Sequence, residues 1–116
     1  MEPDRRPTIT VGEKDLAYLL DYAREDWVGM SPISAVAGTI AGQGATSDEL
    51  TAALLAVIGD LIDRGAVPGD LVAEDPGFTP WPGTKEERLR RIAAETAELG
   101  RLPETGEVAW LHDPSI

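Results

Sequence analysis

One histidine, no cysteine and twenty-one carboxylates set the chemistry open to this 116-residue chain. Without cysteine, neither a disulfide nor a thiolate metal site can form. Zinc would have to rest on His112 and carboxylates, a poor donor set, and no cofactor is implied. His112 and Asp113 are the only histidine–carboxylate neighbours, but adjacent residues of a strand point to opposite faces and cannot orient one another. No serine sits in a G-x-S-x-G elbow, and no calcium-loop spacing is present. The glycines of "GQGAT" (residues 42–46) precede a helix, where free amides can cradle an anion. The lysine of a phosphate loop is missing, however, and Asp48 and Glu49 stand where the anion would lie. These spacings predict no catalytic, cofactor-binding or metal-binding residues, and a protein that is not an enzyme.

Charge is the stronger signal. The chain carries a net −11, and residues 13–75 hold twelve acidic groups against three basic ones. Such a surface repels a phosphate backbone and favours a partner with a basic surface. Tyr18 and Tyr22 lie one helical turn apart, off the apolar stripe of their helix, and tyrosine suits partner contacts because it covers area at little entropy cost. With Asp21 and Glu25 beside them, and Asp60 and Asp63 sharing the edge of a later helix, these six residues are the predicted partner-binding set.

The segment "FTPWPGTKEERLRR" (residues 78–91) raises the opposite prospect, because it places Lys85, Arg88, Arg90 and Arg91 just after an aromatic loop. The spacing predicts i,i+4 pairs Glu86–Arg90 and Glu87–Arg91, with Glu95 following Arg91. Each contributes only about 0.2–0.5 kcal/mol, but together they describe a self-neutralised solvent face. The prolines on either side of Trp81 predict a stiff turn that drives Phe78 and Trp81 into the core.

The elements that must position these residues follow from periodicity. Residues 1–9 read as a frayed tail and 10–116 as a single domain. Leu16, Leu19, Leu20, Ala23 and Trp27 form one helical face, with Thr10 and Glu13 spaced as a capping box. A short second helix follows, with Ser31 as N-cap, Pro32 at its first position, an inner face of Ile33, Val36, Ala37 and Ile40, and Gly42 at its end. Thr46 and Glu49 cap a long third helix that Gly65 closes. Its apolar arc of Leu50, Ala53, Leu54, Leu55, Val57, Ile58, Leu61 and Ile62 is about 200° wide, so it must be contacted from two sides. "AVPGDLVAED" reads as a short strand, placed at an edge because Pro68 cannot donate to a ladder. A fourth helix, capped by Thr84 and Glu87, buries Leu89, Ile92, Ala93, Thr96 and Leu99, and Val108–Leu111 suits a closing strand.

The expected fold is therefore mainly α with a small β-hairpin. Helix, helix, long helix and then two strands, with "LIDRGAVPGDLV" at the junction, resembles a winged helix-turn-helix. The departure is an extra helix, residues 84–100, inserted between the two C-terminal strands. "GFTPWPG" together with "GEVAWLHD" is also similar to a group of small bacterial proteins of actinobacterial type, a likeness that implies no function. The winged-helix resemblance implies DNA binding by a dimeric transcriptional regulator, but the third helix shows Asp48, Glu49, Asp60 and Asp63 where base reading needs arginine, lysine, asparagine or glutamine. The 84–101 arginines are the alternative contact surface for such a regulator. The leading expectation is a small acidic protein-interaction domain, of which a toxin-neutralising immunity protein or an adaptor is one form, with room for a homodimer. The N-terminus has no apolar run behind its charges and no window approaches the ~20 apolar residues of a membrane span, which predicts a cytoplasmic protein.

Overall fold

A computed structural model describes residues 11–73 and 77–113. Among them are α1 (Glu13–Glu25), α2 (Met30–Ala41), α3 (Ser47–Asp63), β1 (Val67–Leu71), β2 (Phe78–Pro80), α4 (Lys85–Leu99) and β3 (Trp110–His112). The mainly helical fold with a small antiparallel sheet is as the periodicity predicts. The tail, residues 1–9, and Thr10 lie outside the described residues.

The long helix is the centre of the packing. Ala53, Leu54, Val57, Ile58 and Leu61 of α3 are buried, and α3 packs against α2, α4 and α1. That is the consequence of its wide apolar arc. Its ends are set by local sequence. Thr46 Oγ1 accepts the Glu49 amide at 3.1 Å and Glu49 Oε1 accepts the Thr46 amide at 2.8 Å, the predicted capping box. At the other end Gly65 takes φ +113°, its amide reaching Ile62 O at 3.0 Å while the Ala66 amide reaches Leu61 O at 2.9 Å. This 6→1 and 5→2 pair is the Schellman arrangement that needs a left-handed residue.

The starts of α1 and α2 differ from expectation. Gly12 is the N-cap of α1, and Glu13, now the first helical residue, reaches across to Arg64 at the end of α3. For α2 the N-cap is Gly29, so the helix begins two residues before Pro32 and takes in Met30, which is fully buried. Ser31 is not a cap. It exchanges two hydrogen bonds with Thr105: its amide donates to Thr105 Oγ1 at 3.1 Å and its hydroxyl accepts the Thr105 amide at 2.8 Å. A partner 74 residues away has taken the group that local capping would use.

The sheet order is β2-β1-β3. Two expectations are thereby corrected. "FTP", read as loop, is the strand β2, and β1 is central rather than an edge. The central strand tolerates Pro68 because its two neighbours are staggered: β3 pairs with Val67–Gly69 and β2 with Gly69–Leu71, so only Gly69 has a residue opposite it on both sides. Pro68 turns its carbonyl toward the β2 side, where it accepts the Trp81 amide at 2.9 Å. The returning bond, from residue 68 to the Trp81 carbonyl, cannot form because proline has no N–H. Arg88 supplies it instead: Nε and Nη2 donate to Trp81 O at 3.1 and 2.7 Å. Outside β3, Val28 and Leu111 exchange amide bonds of 2.8 and 2.9 Å, so the α1–α2 junction adds a single bridge to the sheet. α4 is inserted between the hairpin β1-β2 and the returning β3, as predicted.

Candidate functional site

On α1, Leu16, Leu19, Leu20 and Ala23 point to the core. The opposite face is built from residues offset by two: Tyr18, Asp21, Tyr22 and Glu25, at i, i+3, i+4 and i+7. Helical spacing alone therefore brings four of the six predicted partner-binding residues together. With Asp26 they line an open groove of about 450 Å³. Tyr18 is 57% exposed and Tyr22 38%. Their rings meet edge to face, with centroids 6.3 Å apart and planes at 82°. Asp26 was not foreseen. Asp26 is the residue just past α1, and its carboxylate accepts the Trp27 amide at 2.7 Å.

Three carboxylates thus border two phenol rings. Arg24 Nη1 lies 3.6 Å from Asp21, and the exposed Lys14 stands one turn before Tyr18 on the same face of α1. Arg24 is already committed, because its Nε donates at 3.0 Å to Asp113, a carboxylate with no exposed side-chain surface. Glu25 makes no ion pair among the described residues. The groove is accordingly electronegative, and its rings present the negative faces that attract a cation.

Asp60 and Asp63 do not belong to it. Asp63 receives both hydrogen bonds of Lys85 Nζ, at 2.8 and 2.9 Å, and ties α3 to the start of α4. Asp60 lies one turn earlier on α3, half-buried and near enough to Arg64 to raise its pKa, though less than the hydrogen-bonded Glu13 does. Neither side chain lines the groove.

The aromatic–basic segment is internal structure. Trp81 is 2% exposed and Phe78 is 8% exposed, as the flanking prolines predict. The predicted Glu86–Arg90 and Glu87–Arg91 pairs are not formed. Glu87 instead accepts the Thr84 amide at 2.8 Å, the capping-box bond that leads the lowering of its pKa. Arg91 lies 3.6 Å above the Trp81 ring while its Nε donates to Glu95 at 2.8 Å. Arg88 holds the Trp81 carbonyl, Lys85 holds Asp63, and Arg101 is clamped by Glu107 through two 2.8 Å bonds. Of this stretch only Arg90 is without an ion pair or hydrogen bond among the described residues. The signal overlooked in the sequence was Pro68, whose missing amide calls for a donor near Trp81.

His112 and Asp113 have separate partners, as alternation requires. His112 Nδ1 lies 3.1 Å from Ala23 O, and Asp113 is on Arg24, so both fasten β3 to the C-terminal turn of α1. Before α3, the capping box uses the amides that an anion at "GQGAT" would need. Among the described residues no group of three or more histidine or carboxylate side chains is placed to hold a metal, and no helix is long and apolar enough to cross a membrane.

No known protein family, curated protein or solved structure matches the chain. Its functional reading rests on the groove.

Proposed function

We propose that this chain is a non-enzymatic acidic protein-interaction domain, and that the outer face of α1 meets a partner with a basic surface. The carrying observation is the assembly of Tyr18, Asp21, Tyr22, Glu25 and Asp26 around one groove whose lining includes three carboxylates and no cation. Exposed tyrosines supply contact area and the carboxylates supply long-range attraction, the division of labour common in protein interfaces. An adaptor or an immunity protein acting in the cytoplasm is the biological setting this reading fits.

The test compares wild type with Asp21→Lys/Glu25→Lys in binding lysate proteins at low salt, followed by identification and reconstitution of the retained species. Retention that is salt-sensitive and lost in the double variant supports the reading. Retention that ignores the charge reversal sinks it.

A second reading is favoured by one observation. The sheet continues Val28–β3–β1–β2, with the α1–α2 junction beside the returning strand, an order compatible with the winged-helix likeness from which the reading as a dimeric DNA-binding regulator comes. The commitment of Arg88, Arg91 and Arg101 to internal acceptors weighs against it, since phosphate contacts need free cations. An electrophoretic shift with genomic fragments tests it. Salt-dependent retardation, reduced by Arg90→Ala, is the result it requires.

A further inference from the structure

The groove's composition specifies more than net charge. We propose that the corner between Tyr18 and Tyr22 receives an arginine side chain of the partner, stacked on a phenol ring and hydrogen-bonded to the carboxylates of Asp21 and Glu25. This rests on the reading of the groove as a protein-binding face.

Two features select a guanidinium. The first is geometry. Rings 6.3 Å apart at 82° offer one ring face and one ring edge around a common corner, and a planar cation can lie flat on the face while its N–H groups point outward. The carboxylates of Asp21 and Glu25 lie one turn apart on the same side of α1 and can accept those outward N–H groups. An ammonium is a point charge with a strongly held hydration shell and gains less from a ring face.

The second is that this fold already contains the completed arrangement. Arg91 sits 3.6 Å over Trp81 while a carboxylate one helical turn away, Glu95, accepts its Nε at 2.8 Å. Ring, guanidinium and carboxylate form one unit there, with the arginine supplied by α4. On α1 the ring and carboxylates are supplied and the arginine comes from outside. Tyr18 and Tyr22 are the only tyrosines in the chain, so their ring signals report on this corner alone.

The experiment titrates full-length protein carrying ring-labelled tyrosine with two synthetic peptides of equal length and charge, one with arginines and one with lysines. Ring resonances are followed by NMR. The expected result is that the arginine peptide shifts both tyrosine signals and binds about three- to five-fold tighter than the lysine peptide. In Tyr22→Leu or Tyr18→Leu the preference disappears while weak salt-sensitive binding of both peptides persists. Tyr22→Phe, which keeps the ring, retains the preference. Both positions are solvent-exposed, and circular dichroism checks that each variant is folded. Equal affinity for the two peptides overturns the arginine assignment and leaves the acidic interface standing. A preference that survives both leucine variants also overturns it, since the selective contact is then elsewhere. Failure of both peptides to bind wild type at low salt removes the interface reading itself.

Discussion

Arg88 donates two hydrogen bonds to the main-chain carbonyl of Trp81, taking the place of an amide that Pro68 does not have. A surface helix thereby completes the ladder of the sheet beside it. The arrangement explains how a proline sits in a central strand, and it ties α4 to Trp81 at the end of the hairpin. Arg88→Met is expected to destabilise the protein by about 1.5–3 kcal/mol, the range for a hydrogen bond to a charged group whose loss leaves an acceptor unserved. Arg90→Met, two residues away and exposed, should cost less than about 0.5 kcal/mol. Urea unfolding of the two variants gives the comparison, and equal midpoints would remove Arg88 from this role.

Two glycines should respond to alanine with opposite signs. At Gly69 an added Cβ would lie 2.6 Å from the Phe78 ring and against the Thr79 carbonyl, in the one residue that faces both neighbouring strands. Overpacking against fixed backbone predicts a loss of about 1–3 kcal/mol or more for Gly69→Ala. At Gly38, inside α2, the nearest side-chain atom is Leu102 Cδ1 at an ordinary 3.7 Å. There Gly38→Ala should gain about 0.4–1 kcal/mol through unfolded-chain entropy. Denaturation midpoints with an unchanged slope give both values.

Arg24 fastens the buried Asp113 to α1. Losing this guanidinium weakens what stabilises the buried Asp113 charge, and removing one member of a buried pair typically costs about 3–5 kcal/mol. Arg24 is itself 39% exposed, which argues for the lower part of that range and below it, about 2–3 kcal/mol for Arg24→Met. Asp113→Asn in the same background should recover part of the loss. A double-mutant cycle by thermal or urea unfolding measures the coupling.

Glu107 accepts both Arg101 guanidinium hydrogen bonds and the Glu104 amide, and its pKa falls from 4.5 to about 2. A carboxylate whose folded pKa is depressed contributes stability that is present above its unfolded value and is lost as pH falls through the folded one. The stability of wild type relative to Glu107→Gln should therefore be constant above about pH 5, decline below 4.5 and reach its floor near pH 2. Glu13 and Glu87, lowered by their bonds to Arg64 and to the Thr84 cap, act in the same direction. Acid titration of the unfolding midpoint at fixed urea checks the window, and a difference that is flat from pH 6 to 2 contradicts the assignment.

The two acidic clusters should separate functionally. Asp63 is held by Lys85 on the surface, where an exposed ion pair contributes about 0.2–1 kcal/mol. Asp63→Asn is expected to lower stability within that range and to leave binding of a basic peptide unchanged. Glu25→Gln should leave stability unchanged and Asp21→Asn, which loses a weak exposed pair with Arg24, should cost less than about 0.5 kcal/mol, while both weaken that binding, most at low salt. Calorimetric titration at two ionic strengths distinguishes them.

Period and punctuation made the helices legible in the amino-acid sequence. The wide arc of α3, the Thr46 and Thr84 capping boxes and the glycine ends at 42 and 65 are local devices whose partners lie within a few residues. The same periodicity placed Tyr18, Asp21, Tyr22 and Glu25 on one face, because a helix brings i, i+3, i+4 and i+7 together without help from the rest of the fold. What local chemistry could not decide was which of several equivalent partners a group would take. Ser31 is a good cap by type, yet it bonds Thr105. Glu87 could have paired with Arg91, yet it caps Thr84 while Arg91 lies on Trp81. Val108 reads as strand, but at φ +64° it forms a three-residue turn, with the Ala109 amide on Glu107 O, directly after the Arg101–Glu107 clamp. β1 became central because strands from both sides of α4 returned to it. Such choices pit interactions of about one kcal/mol against each other. Long-range packing settles them, and it settled here that Arg88 and Arg91 of α4 serve the fold while Tyr18, Asp21, Tyr22 and Glu25 of α1 remain facing outward.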